Sequence, residues 1–177
     1  ASATQEMRVG SGGVMLSHYS PYKVAETFKV LENMFPGRID LGVGRAPGSD
    51  HRTAIALAYG SQVGIEYFPA KIRDMAGFLT DELPNEHPLA GVRATPRIDG
   101  IPEIWILASS EGSTNLAAQF GMGLSYAHFI NPLDTDMLLR IYRENFKPSE
   151  LLSQPEVSMG IFVLCAETEA EAERLVS

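Results

Sequence analysis

Short apolar runs at Met7–Met15, Ile39–Val43, Glu103–Ala108, Leu124–Phe129 and Val157–Cys165 recur along the chain, and helix-patterned segments separate them. In Pro21–Phe35 the residues Val24, Phe28, Leu31 and Phe35 fall three or four apart, on one helical face. Further helices are expected at Ser113–Phe120, Leu133–Phe146 and Glu167–Val176, and Ser20-Pro21 and Pro36-Gly37 bound the first. Strands joined by helical crossovers pair in parallel, so the expected fold class is α/β. Five strand–helix units are too few to close an eight-stranded barrel. The chain also opens without a clear first turn and ends inside a helix with no C-cap, so the expectation is part of a larger barrel or an open five-stranded sheet.

At 177 residues, 45% hydrophobic and 20% charged, the chain has the chemistry of one globular domain. Its formal charge of −8 and lack of a basic run argue against a nucleic-acid partner, which needs clustered Lys and Arg. A lone Cys165 allows no internal disulfide and fits a reducing compartment, so a cytoplasmic protein is expected. Ala1–Met7 lacks the pattern of a signal peptide, and no apolar run approaches the roughly 20 residues of a bilayer span, so no membrane role is expected.

Nearly sixty residues between Gly44 and Glu103 exceed one crossover. Helical patterns occur at Arg52–Tyr59 and Tyr67–Leu83. The irregular Glu86–Gly100, with Pro88 and Pro96, reads as an excursion over the strand ends.

The chemistry concentrates at strand ends. Arg45 follows the buried strand Ile39–Val43 into the turn Gly44–Gly48, where its planar fork and the turn amides suit a phosphate or carboxylate. An ion pair with Asp50 or Glu66 is the alternative. Ser109, Ser110, Ser113 and Thr114 gather where a strand ends and a helix begins, which describes a phosphate cradle or ordinary N-capping. Gly10-Ser11-Gly12-Gly13 interrupts a strand, as a bulge or a flat ligand lying on the backbone would require. Gly42-x-Gly44-x-x-x-Gly48 misses the dinucleotide spacing by one residue, and neither a Walker lysine nor a Gly-x-Ser-x-Gly elbow occurs. His18, His51, His87 and His128 lack metal-ligand spacing, so no metal is expected. His128 ends a strand on the face where Arg45 and Ser110 should converge, as a site residue or a core histidine.

Arg8-Val9-Gly10-Ser11-Gly12-Gly13-Val14-Met15-Leu16, Ser20-Pro21, Glu26 and Pro36-Gly37-Arg38-Ile39-Asp40-Leu41-Gly42-Val43-Gly44-Arg45-Ala46-Pro47-Gly48 resemble the bacterial luciferase-like flavin monooxygenases. The resemblance continues through Val92-Arg93-Ala94-Thr95-Pro96, Trp105-Ile106-Leu107-Ala108-Ser109-Ser110 and Tyr126-Ala127-His128-Phe129. It implies a TIM (β/α)8 barrel present here as about strands three to seven, in a single partial domain over 1–177 with a variable lid at 46–102. It further implies a homodimer that uses FMN, reduced by a separate flavin reductase, and O2 to oxidise an aldehyde or another small organic substrate.

By matching position, the resemblance implies that Arg45 holds the FMN phosphate, completed by Ser109, Ser110, Ser113 and Thr114. Gly12 and Gly13 would lie beneath the isoalloxazine, where the family often has a non-proline cis peptide. His128 would donate a hydrogen bond near the ring. The family's first two strands, with a histidine-bearing segment, its last strand and its terminal helices have no counterpart here. Two alternatives are a non-catalytic flavin-binding remnant and a deazaflavin-dependent reductase.

Overall fold

A computed structural model describes residues 1–46, 48–59, 64–97 and 99–176. Pro47 of the arginine turn and Gly60, both within the expected lid at 46–102, lie outside the described residues. The strands are β1 (Val9–Gly10), β2 (Val14–Met15), β3 (Ile39–Gly44), β4 (Glu103–Ala108), β5 (Gly123–Ala127) and β6 (Val157–Gly160). The helices are α1 (Pro21–Met34), α2 (His51–Ala58), α3 (Phe68–Thr80), α4 (Glu111–Phe120), α5 (Thr135–Asn145) and α6 (Glu169–Val176). No helix among the described residues is long and apolar enough to cross a membrane.

Every ladder is parallel. β1 and β2 both pair with β3, Val9 opposite Ile39 and Val14 opposite Val43, so they are two pieces of one glycine-interrupted stave. The order is that stave, then β3, β4, β5 and β6, and the five staves curl into a half-barrel. This is the incomplete barrel anticipated from the sequence.

Strand alternation sorts the side chains. Leu41, Val43, Ile106, Leu124 and Tyr126 are fully buried in the core that also takes in Ala117 of α4 and Leu138 and Tyr142 of α5. Each fully buried aliphatic side chain contributes roughly 1.5–3 kcal/mol. Asp40, Trp105, Leu107 and Ser125 occupy the alternate positions and line the hollow face with Ser11 and Ser158. At the amino ends of the strands Arg8 bridges Asp40 at 2.6 Å and Glu103 at 3.0 Å, while Trp105 Nε1 donates to Asp40 at 3.2 Å. Burial pushes the Glu103 carboxyl up, against the pull of Arg8.

Two expectations are corrected. The strand expected to run to Cys165 ends at Gly160, because its partner β5 ends at Ala127, opposite Gly160, and the chain there turns, Ile130 N donating to Ala127 O. No described residue of Glu86–Gly100 lines the cavity at the carboxyl ends of the strands. The later part of this segment packs on α1, where the fully buried Lys29 Nζ donates to Ala94 O at 3.1 Å and to Asp81 Oδ1 at 2.9 Å. The bond from this buried ammonium to Ala94 O ties the segment to α1.

Gly42 has no room for a side chain. A Cβ there would stand 2.2 Å from Ser11 O, whereas one on Gly44 would meet nothing within 4 Å. Gly42→Ala is therefore expected to lose about 1–3 kcal/mol in urea unfolding, and Gly44→Ala less than about 0.5 kcal/mol. Tyr142 is fully buried, donates to Met122 O at 2.9 Å and accepts from Glu156 N at 3.2 Å, and burial pushes its pKa up to about 12. An unfolded tyrosine ionises near pH 10, so this group's contribution is complete below about pH 10 and is lost between about 10 and 12. Stability measured across that interval should fall more steeply for the wild type than for Tyr142→Phe.

Candidate active site

The parallel register sets the carboxyl ends of β3, β4 and β5 side by side, and a cavity of about 690 Å³ opens there. That volume lies within the roughly 300–1,000 Å³ of small-molecule and cofactor sites. Gly12, Gly13, Arg45, Ser109, Ser110 and Ser113 all line it. Met15, Ile65, Leu107, Phe129 and Ile130 supply its apolar wall.

Arg45 leaves the end of β3 and reaches the first turn of α4, where a methyl group placed on Gly112 would stand 3.5 Å from Arg45 Nη1. No carboxylate among the described residues pairs with it. The alternative partner Asp50 is committed elsewhere. Its carboxylate caps α2, accepting from Arg52 N at 2.9 Å and from Thr53 Oγ1 at 2.6 Å, and the Thr53 bonds hold it below the usual carboxylate range.

Helix α4 presents its amino end to the same space. Ser110 is its N-cap residue, yet the hydroxyl makes no capping bond. The first amides of any helix lack an intrahelical acceptor, and they carry partial positive charge. The guanidinium, the helix amides and the hydroxyls of Ser109, Ser110 and Ser113 together form a donor set for an anion. Glu111 is exposed in the first turn and does not line the cavity.

Opposite lies a bare backbone floor. Gly12 and Gly44 border the cavity, and a Cβ on either would meet nothing within 4 Å. Gly13 has φ +132°, a conformation in which a side chain would also strike Leu107, at 2.9 Å. Thr95–Pro96 is the only cis peptide among the described residues, so the expected Gly12–Gly13 cis bond is replaced by a trans one with glycine at positive φ.

Two predicted residues stand apart. Thr114 is fully buried and turns its hydroxyl back to Ser110 O at 3.0 Å, one helical turn away, so it does not line the cavity. His128 does not line it either, although Ala127 and Phe129 do. Its Nδ1 lies 2.7 Å from Thr135 Oγ1, a hydrogen bond that orients the ring toward α5.

Sequence reasoning missed Asn131. Its Nδ2 donates to Ser109 O at 3.1 Å and to Asp134 Oδ2 at 3.0 Å, while Tyr126 Oη and Thr135 Oγ1 donate to its backbone carbonyl. It thereby ties the loop after β5 to the end of β4. An asparagine three residues before the N-cap Asp134 of α5 looks like ordinary turn chemistry, and nothing local points to a partner 22 residues away.

In a TIM-barrel protein the carboxyl ends of the parallel strands form the ligand-binding side, and in this half-barrel the donor groups gather at that end. The chain belongs to the luciferase-like monooxygenase family, whose profile matches residues 1–177. It is 49% identical over 175 residues to the uncharacterized protein YceB of Bacillus subtilis, covering 99% of this chain and 53% of that protein. It is 39% identical to a luciferase-like monooxygenase of Escherichia coli K12, covering 99% of this chain and 51% of that protein. Among solved structures, apo-MsnO8 superposes with a TM-score of 0.86 at 37% identity, over 98% of this chain and 51% of that one. The chain thus spans about half the length of the relatives it matches. Likeness of fold alone, at 19% identity and a TM-score of 0.68, extends to the oxygenating constituent of 3,6-diketocamphane monooxygenase from Pseudomonas putida in complex with FMN. At 16% identity and 0.57 it extends to an F420-dependent secondary alcohol dehydrogenase.

An arginine with no ion-pair partner among the described residues adds little to folding. Arg45→Ala is expected to shift stability by less than about 0.5 kcal/mol in urea unfolding, whereas Asn131→Ala, which strips Ser109 O of its donor, should cost about 1–3 kcal/mol.

Proposed function

We propose that this chain supplies the FMN-phosphate side of a flavin-dependent monooxygenase. The observation that carries this reading is the guanidinium of Arg45, unpaired among the described residues, over the amino end of α4 beside the uncommitted Ser110 hydroxyl. A phosphate dianion satisfies all of these donors at once.

The rest of the cavity fits the remainder of such a ligand. The bare backbone at Gly12 and Gly44 leaves a flat surface that a fused ring system can cover. Reduced FMN, when bound, supplies the electrons with which O2 oxidises a small organic substrate. Arg45, Ser109, Ser110 and Ser113 anchor the phosphate, while Met15, Ile65, Leu107, Phe129 and Ile130 keep water from the adjoining space. His128 and Thr114 act here as supports: His128 steadies α5 through Thr135, and Thr114 fixes the first turn of α4 through Ser110 O. The oxygenating activity belongs to the whole protein, with its substrate entering beside the apolar wall and its reduced flavin delivered by a reductase.

FMN and riboflavin, which lacks the phosphate, separate the phosphate site from the ring site. Arg45→Ala should weaken FMN binding at least about tenfold, as followed by flavin fluorescence, and leave riboflavin binding unchanged. Equal FMN affinities in the two proteins would remove the assignment. With reduced FMN, O2 and a long-chain aldehyde, flavin consumption without oxidised product would identify a non-catalytic flavoprotein. The absorption spectrum of the purified holoprotein distinguishes FMN from a deazaflavin.

A further inference from the structure

Lys71 lies in the first turn of α3, where a cation opposes the helix dipole. It is half-buried, and burial lowers its pKa. It pairs with no carboxylate among the described residues. Instead its Nζ donates to three backbone carbonyls of one turn, Leu16 O at 3.1 Å, Ser17 O at 2.7 Å and Tyr19 O at 3.2 Å. An ammonium has three N–H groups, one for each carbonyl, while a guanidinium offers a planar fork that cannot converge on three oxygens.

The turn so gripped is the one that holds the arginine. Leu16 N donates to Gly44 O at 3.2 Å, and the buried Ser17 hydroxyl donates to Arg45 O at 3.0 Å. From α3 to the cavity the contacts run through Lys71, the 16–19 turn, Ser17 Oγ and the Arg45 backbone. We infer that Lys71 is a positioning residue for the anion site, holding Arg45 over the amino end of α4 through Ser17 without touching the ligand. This rests on the phosphate reading of the cavity. The ligand it serves is the phosphate ester, so its removal should weaken phosphorylated ligands selectively and leave ring binding alone.

The test titrates FMN and riboflavin into wild-type protein, Lys71→Met, Lys71→Arg, Ser17→Ala, Arg45→Ala and the Arg45→Ala/Lys71→Met double variant, read by flavin fluorescence. Lys71→Met and Ser17→Ala should each lose about tenfold in FMN affinity with riboflavin unchanged, and Lys71→Arg should recover only part of the loss. In the Arg45→Ala background Lys71→Met should add nothing, because the group it positions is gone. Should Lys71→Met fail to fold, Ser17→Ala makes the same comparison from the other end of the contact. The inference is overturned by FMN affinity within about twofold of wild type in Lys71→Met and Ser17→Ala, by equal losses for FMN and riboflavin, or by full recovery in Lys71→Arg, which would assign the effect to charge. Wild-type FMN affinity in Arg45→Ala alone would overturn the phosphate reading itself, and that result is separate from the Lys71 and Ser17 series.

Discussion

The parallel hydrogen-bonded register of β3, β4 and β5 is the constraint on which the site depends. Val43 lies opposite Ile106, Ile106 opposite Leu124, and Ala108 opposite Tyr126, so the three strands end at one level. Arg45 is two residues past Val43, and Ser109 and Ser110 directly follow Ala108. A slip of one residue would turn every side chain to the opposite face, which the buried Leu41, Val43, Ile106 and Leu124 forbid. Burial on the helix side therefore sets chemistry on the rim side.

The rim gathers positive character in a chain whose formal charge is −8. Net charge acts over long range and is screened, whereas a binding site works through desolvated neighbours. Here one guanidinium, one helix end and three hydroxyls converge, while Glu111 of the same helix end is exposed and off the cavity, Asp50 caps α2, and Asp40 pairs with Arg8 at the opposite end of the sheet. Segregation of charge between the two ends of the strands is what leaves a donor-rich pocket in an acidic protein.

Local pattern carried much of the fold. Glu103–Ala108 was legible to the residue, because Pro102 starts it and alternation marks its buried face. Pro21 and Pro36-Gly37 framed α1 within one residue. The fifth strand was overextended by five residues, since Ile161–Leu164 is as apolar as a strand but has no partner beyond Ala127. The loop before β4 was misplaced because its anchor, the buried ammonium of Lys29, comes from α1, 65 residues from Ala94.

By itself the sequence determined the parallel α/β alternation, the glycine-bare segments and the arrival of Arg45 and the serines at strand ends, because periodicity, backbone freedom and strand termini are properties of neighbouring residues. Tertiary structure decided which of those groups meet. Ser110 and Ser113 face the cavity while Thr114 turns inward, His128 is drawn to Thr135, and Asn131 and Lys71 grip carbonyls 22 and more than 50 residues away. Hydrogen-bond partners are chosen by proximity in space, and only the packed sheet and helices bring such distant donors and acceptors within 3 Å or so of one another.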